Sequence, residues 1–148
     1  MAIHRFERVI AIAAPPERVF AELSEPARFL GLQPLLTEVR EVAAAPGVCA
    51  FEAVERVALL GPIAVNNRLR VELTPRAAAH RIGFATRAPL GIRIEGAFAL
   101  DAMGTTTRVT ESVVLRCPFW LSRFVLREAT RAQEALLANL KRRIEASH

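Results

Sequence analysis

The sequence predicts an α+β fold: a curved, seven-stranded antiparallel sheet covered on one face by a long C-terminal helix, with two short helices after the first strand. Three observations predict it. Between residues 35 and 116 apolar and polar residues alternate with period two, and the runs are separated by turn-forming residues. From about Phe119 to Ala146 nothing breaks a helix, and apolar residues recur every three or four positions. A first extended run stops at Pro15-Pro16, and proline suits the first turn of a helix, where a missing N–H costs nothing. The chain has 148 residues, 52% hydrophobic and 24% charged, which suits one domain over 1–148 with a substantial core and argues against disorder.

Taken in order, residues 3–13 carry Val9, Ile10 and Ile12 and read as the first strand. Glu17 to Leu23 follows as a helix, with Val19, Phe20 and Leu23 at helical spacing and Glu17 near the positive helix N-terminus. Ser24 caps or bridges into a second short helix, about Pro26 to Leu32, which Pro34 ends. The six further strands are 35–44, 48–60, 63–74, 79–87, 91–101 and 105–116. Pro46-Gly47, Gly61-Pro62, Thr74-Pro75, Pro89 and Met103-Gly104 separate them, and such short connections imply antiparallel neighbours. In 63–74, Ile63, Val65, Asn67, Leu69, Val71 and Leu73 share the covered face. In 91–101 the covered set is Ile92, Ile94, Gly96, Phe98 and Leu100; in 105–116 it is Val109, Glu111, Val113 and Leu115. The strand at 48–60 carries apolar residues on both faces, so its orientation stays open. The closing helix buries a stripe of Leu121, Val125, Ala129, Ala132, Leu136, Leu140 and Ile144. Phe119-Trp120, beside Pro118, is read first as a staple fixing the start of that helix and second as an exposed lip.

The formal net charge is +5 and the pI about 10.8. Nineteen of the 20 basic residues are Arg, spread from Arg5 to Arg143, which argues against the dense, aromatic-interleaved stripe of a nucleic-acid site. No apolar run approaches the roughly 18–20 residues that cross a bilayer, and Met1 to Arg8 lacks the apolar core of a signal peptide, so the expectation is a cytoplasmic protein. Cys49 and Cys117 lie far apart and read as small buried hydrophobes. No metal-ligand spacing, phosphate loop or Ser-His-acid grouping is present, there is no Tyr, and no cofactor is implied.

The element order, together with Ile10-Ala11-Ile12-Ala13-Ala14-Pro15-Pro16-Glu17-Arg18-Val19-Phe20-Ala21-Glu22-Leu23, resembles the SRPBCC superfamily, which includes the birch pollen allergen, START lipid-transfer domains and polyketide cyclase/dehydrase-like proteins. Pro26-Ala27-Arg28 through Pro34 and Val39 is similar to the second helix and second strand of that group, and Glu128 to Leu140 to its closing helix. The resemblance implies a helix-grip fold, in which the sheet wraps the long helix around a deep cavity for a hydrophobic or amphipathic ligand.

On that frame the expected cavity residues are Phe51 and Glu55, Asn67 and Leu69, and Phe84. Further along the chain they are Ile94 and Phe98, then Val109, Glu111 and Val113, and finally Leu121 and Val125 from the helix. The informative ones are polar. A buried carboxylate without a partner is expensive, so Glu111 and Glu55 should meet Arg, His, Asn, water or ligand, and their pKa values should rise. Asn67 either lines the cavity or makes a structural hydrogen bond. His80 shares a face with Ile82, Phe84 and Thr86, or is exposed at a strand start. Glu128, at the edge of the helical stripe, is expected to pair with Arg127 or Arg131. Glu111, Glu55 and His80 are the candidates for acid/base work.

Three functions compete. The first is binding or transport of a small hydrophobic molecule. The second is a cyclase/dehydratase-like enzyme in which Glu111 or Glu55 removes a proton next to a carbonyl while Asn67 or His80 holds the enolate oxygen. The third is an interaction module acting through the Arg-rich exterior, with transient membrane contact among its partners. The first is the expectation, by analogy of fold.

Overall fold

The structure is a computed structural model that describes residues 1–43, 45–60 and 62–147, without side chains at 59 and 60. Seven strands, β1 (Ala2–Ile12), β2 (Leu36–Val42), β3 (Cys49–Leu60), β4 (Ile63–Arg76), β5 (Arg81–Arg87), β6 (Arg93–Met103) and β7 (Thr106–Cys117), form one antiparallel sheet. Their order is β1-β7-β6-β5-β4-β3-β2. Strands β2 to β7 follow one another as a meander. Strand β1 docks on the last of them, from Ala2 opposite Cys117 to Ile12 opposite Thr107. Alternation decides which face is covered. Along β7, Thr107, Val109, Glu111, Val113, Leu115 and Cys117 are buried, while Arg108, Ser112 and Arg116 are exposed. Phe51, Ala53 and Val57 are buried and Glu55 half-buried, which resolves the orientation of β3.

Helix α1 (Pro16–Leu23) starts with Pro15 in an extended conformation and proline in its first turn. Helix α2 (Ser122–Ala146) has 25 residues, about 37 Å of length. A 3-10 turn at Phe119–Leu121 precedes it. In this chain α2 approaches β1 and β7 most closely, and β3 to β6 curve away from it. Towards its C-terminal end Leu136, Leu140 and Ile144 join Ile12, Val19, Leu23, Leu100 and Val109 in a solid core. Towards its N-terminal end Val125 and Ala129 meet Leu115, Cys117, Phe6 and Ile94.

Three local expectations are corrected. The second short helix is only a four-residue 3-10 turn, Pro26–Phe29. Gly31 then takes a positive φ of 85°. The carbonyls of Arg28 and Leu30 are held by Arg143, at 2.8 and 3.0 Å, rather than by helical N–H groups. Secondly, the Phe119-Trp120 staple does not form: these side chains are 81% and 73% exposed. Thirdly, Ile63, at the far end of β4, is exposed rather than covered, while Val65 on the same face lines the cavity described below.

Arg143 is part of a larger tie. Glu22 of α1 is buried, and its Oε1 accepts from Arg18 at 2.7 Å and from Arg28 at 2.8 Å. Its Oε2 accepts from Arg143 at 3.2 Å. Burial opposes ionisation of Glu22, but the hydrogen bonds from Arg18 and Arg143 and the charge of Arg28 outweigh it, so the carboxyl sits below its ordinary pKa. Glu22→Ala removes the one carboxylate that three guanidinium groups share. Breaking a buried pair costs about 3–5 kcal/mol, and the partial exposure of the three arginines brings the expected loss to about 2–3 kcal/mol. A lowered urea midpoint with an unchanged slope would show it; an unchanged midpoint would refute it.

Candidate functional site

Because α2 rests nearest β1 and β7, the inner faces of β3 to β6 enclose a cavity of about 360 Å³ against it. The walls are mostly apolar. Phe51, Leu69, Phe84, Ile94 and Phe98 line it from the sheet, and Leu121 and Val125 from the helix end. Phe84 and Phe98 pack with ring centroids 5.3 Å apart. Glu55, Asn67 and Glu111 also line it.

Three expected residues lie elsewhere. His80 is not in a strand. It occupies a left-handed turn (φ 50°) between β4 and β5, and its Nε2 lies 3.7 Å from Glu17 on the outside. Val109 belongs to the solid core under the C-terminal part of α2. Val113 is buried opposite Phe6 and Gly96 without reaching the cavity.

Other residues complete the lining. Phe29, Gln33 and Leu36 come from the segment that Arg143 ties down, and Phe124, Glu128 and Gln133 from α2. The spacing that marks the helical stripe also marks Gln133, four residues after Ala129 and three before Leu136. Glu128 turns to the cavity, and among the described residues it forms no ion pair with Arg127 or Arg131. Gln33 had no such signal in the chain, since the turn that presents it was read as a helix end.

The polar groups are poorly satisfied. Glu111 is fully buried and neither of its oxygens has a hydrogen-bond partner among the described residues. Its cross-strand neighbour Arg8 is engaged with Glu134 on α2 at 2.6 Å. Burial pushes the Glu111 carboxyl up to about 8, and the charge of Arg8 offsets this only in part. Glu55 stands opposite Asn67 in the β3–β4 ladder. Burial raises its pKa, a hydrogen bond from Asn67 lowers it, and the nearby charge of Glu128 raises it again, with a net rise. The Oε1 atoms of Gln33 and Gln133 are buried and unpaired as well. Chemically, such a wall can donate or accept hydrogen bonds, and a carboxyl titrating near neutrality can exchange a proton with a bound molecule.

The mouth is apolar too. Leu90, at φ 65° after Pro89, lines the cavity yet is 65% exposed. Phe119 and Trp120 stand exposed directly before Leu121.

A curved antiparallel sheet that grips one long helix around a cavity defines the helix-grip class. The chain belongs, more particularly, to the family described as polyketide cyclase / dehydrase and lipid transport, whose model matches residues 4–145, within the SRPBCC superfamily. Solved structures agree in fold. TTHA0849 from Thermus thermophilus is 24% identical over 99% of both chains, with a TM-score of 0.77. The ZhuI aromatase/cyclase from Streptomyces sp. R1128 is 16% identical over 99% of this chain and 98% of its own, at 0.75. Norcoclaurine synthase from Thalictrum flavum is 12% identical over 99% of this chain and 88% of its own, at 0.73. A search of curated proteins returned no significant match.

Proposed function

We propose that the protein binds or carries a small hydrophobic or amphipathic molecule in the cavity between sheet and C-terminal helix. The observation that carries this is Glu111: a fully buried carboxyl, without a partner among the described residues, in the wall of an apolar cavity. Leaving such a group unmatched costs stability, and a ligand's polar group is what would match it. The family's description and an aromatase/cyclase of the same fold support the reading. Exposed Leu90 at the cavity, together with Phe119 and Trp120 exposed just before the lining residue Leu121, suits transient contact with a membrane from which such a ligand is taken.

The test is to purify the protein natively, denature it and identify released small molecules by mass spectrometry, beside a Glu111→Leu/Asn67→Leu double variant. A stoichiometric molecule released only by the wild type is the expected result. An empty cavity, with no thermal shift from any hydrophobic ligand, would overturn the reading.

A second reading, acid/base catalysis of the cyclase/dehydratase kind, is favoured by the same carboxyl. Its pKa near neutrality suits it to take a proton from carbon next to a carbonyl and return it. Glu111→Gln then abolishes turnover and leaves binding nearly intact.

A further inference from the structure

The outside and the inside of this protein differ in charge. The chain carries a formal net charge of +5, yet among the described residues no Arg, Lys or His lines the cavity. Its ionisable lining groups are three carboxyls, Glu55, Glu111 and Glu128, from β3, β7 and α2. The buried polar atoms left without partners are all acceptors or carboxyl oxygens where the cavity is concerned: both oxygens of Glu111 and the Oε1 atoms of Gln33 and Gln133. Gln133 is itself more than nine-tenths buried. The wall offers neutral donors on Gln33, Asn67, Thr86 and Gln133, but among the described residues it holds no positive charge to set against its three carboxyls, and a ligand must bring that.

An acyl carboxylate or a phosphate ester would bring the opposite. It would place an anion beside three carboxyls in a low-dielectric space, with no guanidinium to receive it. A neutral carbonyl compound can accept from the amide and hydroxyl donors, but it leaves the three carboxyls without a positive partner. An ammonium supplies three N–H donors and the missing charge, and its approach favours the ionised form of Glu111, whose proton is released to solvent on binding. Arg8, opposite Glu111 in the β1–β7 ladder, is held on Glu134 and makes no hydrogen bond to either Glu111 oxygen.

Resting on the ligand-binding reading above, we propose that the cavity selects an apolar molecule that carries a protonated amine, with Glu111 as the ammonium's counter-ion and Gln133 as an accessory acceptor. Glu55 and Glu128 add to the negative field along the same wall.

The test uses three probes with one aromatic body: naphthylethylamine, naphthylethanol and naphthylacetate, titrated by calorimetry at neutral pH into wild type and Glu111→Gln. A hydrogen-bonded charge in a buried site is worth enough to make the amine bind about tenfold or more tighter than the alcohol, with the acetate weakest. In Glu111→Gln the amine and the alcohol should bind within about threefold of each other, while alcohol binding persists. Equal binding of amine and alcohol to the wild type, or a stronger acetate, would overturn the inference and leave ligand binding standing. So would an amine preference that survives Glu111→Gln. Binding of none of the three, nor of naphthalene itself, would instead overturn the ligand-binding reading beneath it.

Discussion

Gly96→Ala is expected to lose about 3 kcal/mol or more, a large share of the stability of a domain this size. Gly96 lies on the inner face of β6, between Phe84 on β5 and Val113 on β7. A methyl group there would run into the backbone carbonyl oxygen of Ser112 and would come within 2.8 Å of Phe84 Cζ. The ring can swing aside. The Ser112 carbonyl cannot, because it belongs to the β6–β7 ladder. The φ of Gly96 is not in the left-handed region, so the requirement is for space and not for backbone freedom. Gly83→Ala is the matched control. It sits one strand away, its nearest neighbour would be Thr74 Cβ at an ordinary 3.7 Å, and its stability should change by less than about 0.5 kcal/mol. Urea unfolding of the pair separates the two cases, and equal midpoints would refute the close approach. The same absence of a side chain lets Phe84 lie against the sheet as part of the cavity lining, so this glycine links the curvature of the fold to the space it encloses.

Much of that architecture was legible in the residues because burial there is periodic. Along β7 every second side chain is covered, and Thr107 to Cys117 announce it without help from distant contacts. The long helix was legible for the same reason. What escaped was set by partners far away in the chain. The segment after Pro26 has helical composition, but Arg143 holds its carbonyls from more than a hundred residues away, and Gly31 turns the chain out of the helix. His80 fits a strand by alternation, yet β5 begins only at Arg81, two residues later than that alternation implies, and His80 closes the turn. The cavity was legible as a face and not as a volume. Val109 shares its face with Glu111, but lies where α2 presses on the sheet, and only the tilt of α2 over the sheet decides which residues of one strand meet helix and which meet space. Glu111 itself was visible as a carboxyl between Val109 and Val113. That Arg8 would be drawn away to Glu134 was not.

Raising the pH should destabilise this protein across the neutral range, and Glu111→Gln should remove most of that dependence. The folded-state pKa of about 8 lies above the ordinary 4.5, so between those values the folded state holds a proton that the unfolded state has released. The stability contributed is therefore full below about pH 4.5, falls as pH rises and is gone above about pH 8. Taken over the whole interval, the difference corresponds to about 5 kcal/mol at most. Glu55, also raised, acts with the same sign. Glu22 acts with the opposite sign: its carboxyl is lowered, so its contribution is present above the ordinary value and is lost as pH falls through the folded one. The wild type should thus be most stable in mild acid, and Glu111→Gln should be the more stable protein at pH 8.5 by several kcal/mol. Urea unfolding from pH 4 to pH 9 measures both curves. Two curves that run parallel through neutral pH would mean that Glu111 is solvated and ionised, and would remove it as the centre of the site. If they diverge as expected, the chain keeps in its core a carboxyl that weakens the fold at neutral pH and that a single amide would relieve. Stability alone would not retain such a group; a molecule bound in the cavity, whose affinity depends on it, would.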